Sequence, residues 1–293
     1  MVGWTFTVWN SPLQRVAGLT GRTERFGIMS EYQDVTYEVV GAVARIYHNR
    51  PNRRNAEGTR LLDELSLALT RAAADDEVRV VIIGGTGDHF SAGHDVKEAM
   101  ERPDVVETRY AYEETHYLGL CLRLWDFPKP TIAQVQGACI AGGFMVANMC
   151  DLLVAADDAY FVDSTCVTLA AAATEVLVHP WVMGMRTAKE FLYTGQRMTA
   201  ADGYRIGMVN RVVARSELTE TAMKLASDIA KAPPFAIKML KRSLNRTADM
   251  QGFRNAIQAH FDTHELCHTT QEYKQVRASG LDATIARAKR LAQ

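Results

Sequence analysis

One stretch of the chain decides the fold: residues 131–149 read TIAQVQGACIAGGFMVANM. The short apolar run Thr131–Gln136 predicts a strand, and Phe144–Met149 has the apolar content of a buried helix. Between them, the glycine-rich segment Gly137–Gly143 predicts a turn. Because glycine has no side chain, the unpaired N–H groups at the start of this helix stay open, and they can stabilise a developing negative charge.

A second junction of this kind lies upstream. Val78–Ile83 is a strongly apolar run that predicts a strand buried on both faces, and the loop after it reads DHFSAGHDV at residues 88–96. Open α/β sheets bind ligands at the carboxyl ends of their strands, so the two loops could aim two backbone N–H groups at one oxygen. Taken alone, the second loop is more typical of an ordinary strand-to-helix connection than of a binding loop. Neither loop spells the dinucleotide motif G-x-G-x-x-G.

Around these junctions, strands alternate with helices, which predicts an α/β fold. The runs Val35–Val40 and Val43–His48 predict a hairpin, and Thr59–Ala74 predicts an amphipathic helix. The pattern along the chain predicts three regions: an N-terminal extension that can be disordered, an α/β core and a helical C-terminal region. Their predicted bounds are residues 1–30, 31–215 and 216–293.

Composition excludes several classes of protein. The 293 residues carry 33 Lys+Arg against 34 Asp+Glu, so no overall charge attracts nucleic acid or an anionic membrane. The five cysteines lack C-x-x-C spacing and predict buried thiols in a reducing compartment. The most apolar stretch, Ile132–Cys150, carries glutamines and glycines that suit a protein core better than lipid. With no signal-peptide pattern at the N-terminus, these features predict a cytoplasmic protein.

Several motifs, in order along residues 33–245, resemble the crotonase superfamily, which is the enoyl-CoA hydratase/isomerase family. They are NRP at 49–51 with Asn55-Ala56, FSAGHDVKE at 90–98, KPT at 129–131, Gln136-Gly137, Gly142-Gly143, Cys150-Asp151, Lys189-Glu190, LYTG at 192–195 and GMV at 207–209.

The resemblance implies a ClpP-like spiral of ββα units with a helical C-terminal trimerisation region, assembled as a homotrimer or hexamer. It also implies a lyase of fatty acid metabolism that acts on an acyl-CoA thioester, with coenzyme A present only as part of the substrate. The backbone amides of His94 and Gly142 would then hold the thioester oxygen while an enolate forms. The implied contacts to coenzyme A are Arg54, Ala56, Ala92, Asp95 and Val96. For Arg54, a solvated loop charge is an equally good interpretation.

The sequence departs from the family at its two water-activating glutamates, whose positions are occupied here by Met145 and Thr165. Neither residue can act as a general base near neutral pH. The departure speaks against strict crotonyl-CoA hydration, and it leaves isomerisation, or hydration or hydrolysis of an unusual acyl chain, open. A non-catalytic acyl-CoA-binding protein is the alternative from another class.

Glu175 is the best replacement base, because a carboxylate in the alanine-rich stretch 169–178 would be desolvated and its pKa raised. The alternative for Glu175 is an exposed helix charge. Asp163 and His179 are weaker candidates. The imidazole of His94 is a further candidate acid or base, whereas His116 is more typical of a core or surface histidine.

Near the C-terminus, residues 264–268 read HELCH, the H-E-x-x-H signature of zinc hydrolases. His260 extends the same helix face by one turn. Only Glu272 and Asp282 follow as acids that could supply a third ligand, and nothing upstream resembles a protease cleft. We therefore predict no metal site and expect these histidines to be partly exposed or at a subunit contact.

Overall fold

The computed structural model describes residues 32–291. The predicted N-terminal extension, residues 1–30, lies outside the described residues. Nine strands carry the labels β1 to β9 in chain order: Val35–Val40, Val43–His48, Val80–Gly85, Thr131–Val135, Ala138–Ile140, Leu152–Ala156, Tyr160–Val162, Met198–Thr199 and Arg211–Val213.

The α-helices of the described chain, α1 to α14, begin with nine in the sheet-forming part: Thr59–Ala74, Val96–Glu101, Val106–Glu113, Leu120–Trp125, Gly142–Asn148, Thr165–Leu169, His179–Met183, Met185–Thr194 and Ala200–Arg205. A π-helical segment, Glu114–Gly119, joins α3 to α4, and 3₁₀ turns span Pro51–Arg53 and Arg215–Glu217. The C-terminal part contributes Leu218–Ala230, Pro234–Met250, Phe253–Cys267, Gln271–Ala278 and Gly280–Leu291.

Two sheets organise the core. The larger has the strand order β1-β2-β3-β4-β6-β9, in which only the β1–β2 hairpin is antiparallel. The smaller has the order β5-β7-β8. The predicted hairpin and the predicted helix α1 are confirmed with their bounds unchanged. The segment Gly137–Gly143 was predicted to be a turn, but it also contains strand β5, because Ala138–Ile140 pairs in parallel with β7.

Strand β3 is buried on both faces, as its composition predicts, although it begins at Val80 rather than Val78. Val81 and Ile83 pack into the main core with α1 and α5, whereas Val80 and Ile82 pack against α10 on the opposite face. Burying both sets fixes the strand, and therefore also fixes where the loop after it emerges.

The expected burial of all five cysteines is wrong for two of them. Cys121, Cys139 and Cys150 are buried, Cys267 is intermediate and Cys166 is exposed on the short helix α6. No helix among residues 32–291 is long and apolar enough to cross a membrane.

A buried ion pair fastens α11 to the strand that precedes the glycine-rich segment. Lys241 is 8% exposed, and its Nζ donates to Asp151 Oδ2 at 2.8 Å and to the Lys129 carbonyl at 3.2 Å. The same Asp151 oxygen accepts the backbone N–H of Thr131 at 2.7 Å. Removing one partner of such a pair leaves the other charge without compensation.

We expect Lys241→Met to lower the free energy of unfolding by about 2–3 kcal/mol, below the range for fully buried pairs because the Asp151 side chain is 23% exposed. Urea denaturation at fixed protein concentration measures the effect. Lys238→Met, an exposed lysine on the same helix, is the matched control and should change the unfolding free energy by less than about 0.5 kcal/mol. Equal effects of the two substitutions would contradict the anchoring role.

Candidate active site

Three backbone segments lie side by side at the carboxyl ends of β2, β3 and β4. The Glu57 N–H donates to the Gly93 carbonyl at 2.7 Å, and the Asp95 N–H donates to the Glu57 carbonyl at 3.0 Å. On the other side, the Ser91 carbonyl accepts the Ile140 N–H at 3.0 Å. The two loops singled out in the sequence are therefore adjacent.

The predicted oxyanion amides belong to these adjacent loops. Within residues 32–291, neither the His94 N–H nor the Gly142 N–H donates to a protein acceptor. A Cβ added to Gly93 would lie 3.2 Å from the Gly142 nitrogen, so the peptide before His94 packs directly against Gly142. Ala141, with φ 47° and ψ −107°, turns the chain into α5 in a conformation that costs of order 1–3 kcal/mol for a residue with a side chain.

Glu175, the predicted base, contacts the imidazole of His94. The distance from His94 Nε2 to Glu175 Oε1 is 2.6 Å. Glu175 is 2% exposed and lies in the non-helical segment after α6, which excludes the alternative of an exposed helix charge. The other carboxylate oxygen, Oε2, is buried without a hydrogen-bond partner among the described residues.

The His94 side chain is held between this carboxylate and an aromatic ring. Its imidazole stacks on Tyr117 with ring centroids 3.9 Å apart and an interplanar angle of 17°. Burial alone would lower the pKa of His94, but the charge and hydrogen bond of Glu175, with a further contribution from Glu57, raise that pKa to about 9. His94 is therefore an imidazolium at neutral pH.

Glu57 is a site residue that the sequence reasoning missed. It is 1% exposed, and its Oε1 accepts a hydrogen bond from Ser91 Oγ at 2.9 Å. Burial raises its pKa to about 7, against the opposing charge of His94 and the Ser91 hydrogen bond. A side chain on Gly142 would collide with Glu57 Oε2 and would lie 3.0 Å from His94 Nδ1. Glu57, His94 and Gly142 therefore converge on one point.

These groups lie beside a largely apolar cavity of about 260 Å³, which Glu175 and His94 help to line. Of the residues expected to contact coenzyme A, Ala92 and Val96 line this cavity. The Asp95 side chain instead pairs with Arg50 at 2.9 Å and caps α2. Arg54 is exposed and Ala56 is half-buried, both in the loop that flanks the cavity wall.

The two positions that lack glutamate lie close to Glu175. Thr165 lines the cavity and donates to Asp163 Oδ1 at 2.8 Å. Met145 is buried in α5, and its sulfur accepts the backbone N–H of Val176 at 3.2 Å. The peptide next to Glu175 thus packs on the side chain that replaces the first glutamate.

The weaker candidates lie elsewhere. Asp163 and His179 form a fully buried pair at 3.2 Å, and the His179 ring stacks on Phe144 at 4.6 Å. Neither residue lines the cavity described above. His116 contacts Asp63 at 3.2 Å on the outer side of the helical segment.

The expectation for the H-E-x-x-H motif is wrong on exposure. His264 and His268 are 5% and 7% exposed within one chain, and both line the cavity. They lie on α12, whose inner face packs over the segment that carries Glu175, and His264 Nδ1 is 2.9 Å from the Ala173 carbonyl. A partner subunit is not needed to bury them.

Comparison with known proteins agrees with the geometry. A model of the enoyl-CoA hydratase/isomerase family matches residues 38–289. EchA13 of Mycobacterium tuberculosis is 37% identical over 259 residues, which are 81% of each chain. The short-chain-enoyl-CoA hydratase of Clostridium acetobutylicum is 33% identical over 222 residues, covering 74% of this chain and 82% of that one. The crystal structure of a probable enoyl-CoA hydratase from Mycobacterium smegmatis is 46% identical, with a TM-score of 0.76 over 80% of this chain and 94% of that one.

The fold is therefore the crotonase fold. The chain belongs to the enoyl-CoA hydratase/isomerase family, which confirms the resemblance found in the sequence. The predicted homotrimer or hexamer and the individual site residues stay predictions.

The pKa of His94 gives a direct test of the cluster. In a proton NMR titration we expect His94 to titrate near 9 in the wild type and toward or below 6.5 in Glu175→Gln, where burial is no longer opposed by the neighbouring charge. Glu57→Gln should lower the midpoint less, because Glu57 makes the smaller contribution. The exposed Glu190→Gln is the matched control and should leave it unchanged. A wild-type midpoint near 6.5 would contradict the proposed pairing.

Proposed function

We propose that the protein is an enzyme that moves a proton at the α-carbon of an acyl-CoA thioester. The backbone amides of His94 and Gly142 hold the thioester oxygen as it gains enolate charge, and Glu175 accepts the proton. The observation that carries the proposal is the 2.6 Å contact of Glu175 with the imidazole of His94, the residue that supplies one of the two proposed amides.

The two oxygens of Glu175 have different environments. Oε1 is fixed by the His94 imidazole, and Oε2 is buried without a partner in the described part of the chain. A base needs this arrangement, since one oxygen must be held in place while the other stays free to accept a proton. Glu175 also lines a largely apolar cavity that suits an acyl chain.

The charge on His94 supports the same roles. An imidazolium next to Glu175 keeps that carboxylate oriented, and its positive charge also lies close to the amides that would hold the enolate oxygen. Fixed positive charge in a site that excludes water stabilises developing negative charge more strongly than the same charge in solution. His94 would thus contribute through both its amide and its ring.

The departures from the family limit the reaction type. Met145 is buried, and its sulfur accepts a hydrogen bond from the Val176 N–H. The Thr165 hydroxyl donates a hydrogen bond to Asp163. Neither position therefore offers an acid that could hold an attacking water. Transfer of a proton between two carbons needs one base, and Glu175 supplies it. We therefore favour isomerisation of an enoyl-CoA over hydration by two glutamates.

Exchange of α-protons tests this role without a full turnover. With butyryl-CoA in D₂O, we expect the wild type to incorporate deuterium at the α-carbon and Glu175→Gln to do so about 10²–10⁴-fold more slowly. Mass spectrometry of the recovered thioester measures the rate. Calorimetric binding of butyryl-CoA should change little in the variant, because glutamine keeps the shape of the side chain.

The exposed Glu190→Gln is again the control and should exchange at the wild-type rate. Tight binding with no exchange by the wild type would instead favour the non-catalytic acyl-CoA-binding protein. If Glu175→Gln exchanged α-protons at the wild-type rate, Glu175 would not be the base.

Glu57 should set the alkaline limit of the reaction. Its pKa is about 7, so it is neutral below this pH and negatively charged above it, where its charge would repel the enolate oxygen beside Gly142. We expect kcat/KM of the wild type to fall by roughly tenfold or more as the pH rises through about 7. In Glu57→Gln the fall should move to a higher pH that stays below about 9, because His94 then loses its proton without the Glu57 charge that helps to raise its pKa. A pH profile of deuterium exchange that is identical in both proteins would contradict this role.

A further inference from the structure

We propose that Glu113, His264 and His268 form a binding site for a divalent transition-metal ion such as Zn²⁺. The site lies in the wall of the cavity that Glu175 lines, and it is independent of the proposed function. The three side chains come from two elements that are far apart in sequence, the end of α3 and the last turns of α12.

The spacing of the ligand atoms fits a metal ion. One donor atom from each residue lies within 4.8 Å of the donors of the other two. Glu113 Oε2 and His264 Nε2 are 3.2 Å apart. Ligands at zinc–ligand distances of about 2.0–2.1 Å in a tetrahedral site are about 3.3 Å apart, so this pair is already at the required separation.

His264 is oriented as a metal ligand would be. Its Nδ1 lies 2.9 Å from the Ala173 carbonyl, which can only accept a hydrogen bond, so Nδ1 carries the proton. Nε2 is then the nitrogen that faces Glu113, and a metal ion would take the place of the proton it shares with that carboxylate. A backbone carbonyl that fixes the tautomer of a histidine in this way is the usual outer contact of metal-bound imidazoles.

His268 provides the second, independent observation. It is 7% exposed, and its Nδ1 is buried without a hydrogen-bond partner in residues 32–291. A buried polar atom without a partner destabilises the fold, and a metal ion bound at that nitrogen would remove this cost. The His268 ring is edge-on to that of His264, with centroids 4.5 Å apart, as expected for residues one helical turn apart that share a face.

The donor set of two histidines and one carboxylate is typical of zinc and other borderline divalent ions. Glu265, between the histidines in sequence, is directed to Arg109, whose Nε lies 3.3 Å from its Oε2. Because all three ligands also line the cavity, the remaining coordination positions face space that water or an oxygen-bearing ligand can reach.

Cobalt(II) is a suitable probe because its visible absorption reports the ligands that bind it. The full-length protein is stripped with a chelator and titrated with CoCl₂ without substrate. We expect a visible band that saturates at one equivalent and is displaced by ZnCl₂. His268→Gln should weaken binding at least tenfold, and it should fold because His264 and Glu113 keep their contacts.

Glu113→Gln tests the third ligand and should also weaken binding at least tenfold. His116→Gln is the matched control: this histidine contacts Asp63 outside the cavity, and its replacement should leave the cobalt band intact. Glu175→Gln should likewise keep the band while losing deuterium exchange, which separates this proposal from the proposed function.

Two results would overturn the site. One is a wild-type protein with no saturable band, in which case Glu113 and His264 form an ion pair only. The other is a band that survives in both His268→Gln and Glu113→Gln.

Discussion

The site depends on close contact between two backbone segments that have almost no side chains between them. Ser91 pairs with Cys139 as neighbouring strands do, and this pairing brings Gly93 against Gly142. A side chain at Gly93 would strike the Ile140 carbonyl, and one at Gly142 would strike Glu57. The positions of the two proposed oxyanion amides, those of His94 and Gly142, are therefore fixed by the main chain of neighbouring loops. Such a site needs no rearrangement of side chains when charge develops in the substrate.

Placing charge in this pocket is costly, and the three ionisable groups reduce the cost for one another. Glu57 and Glu175 are removed from bulk water and His94 is mostly so, yet His94 carries a positive charge that offsets Glu175, and Glu57 is only about half ionised at pH 7. A buried group without such a partner would shift its pKa and lose its charge. The arrangement is better explained by chemistry than by stability, since well-packed apolar residues of similar size often stabilise a fold as well as a buried ion pair does.

The sequence predicted what depends on local pattern and on order along the chain. The hairpin, helix α1, the buried strand β3 and the family follow from periodicity and motif order. Glu57 and Glu113 were not predicted, because their roles depend on contacts with residues 37 and 151 positions away, and an acidic residue in a loop or at a helix end usually faces solvent. The burial of the histidines in the H-E-x-x-H motif was mispredicted for the same reason, because the groups that His264 contacts, Glu113 and the Ala173 carbonyl, are distant in sequence.

The segment that carries Glu175 explains how the site can differ from the family pattern without a different fold. Helix α5 keeps its position, but Met145 contributes packing and a sulfur acceptor for the Val176 N–H in place of an acid. The segment reaches this position through left-handed residues at Ala170 and Ala173, conformations that cost energy for alanine. His260 and His264 of α12 hold it from outside through the carbonyls of Thr174 and Ala173. The carboxylate of Glu175, the proposed base, thus lies on a strained loop held between α5 and α12, so a C-terminal helix of the same chain helps to position it.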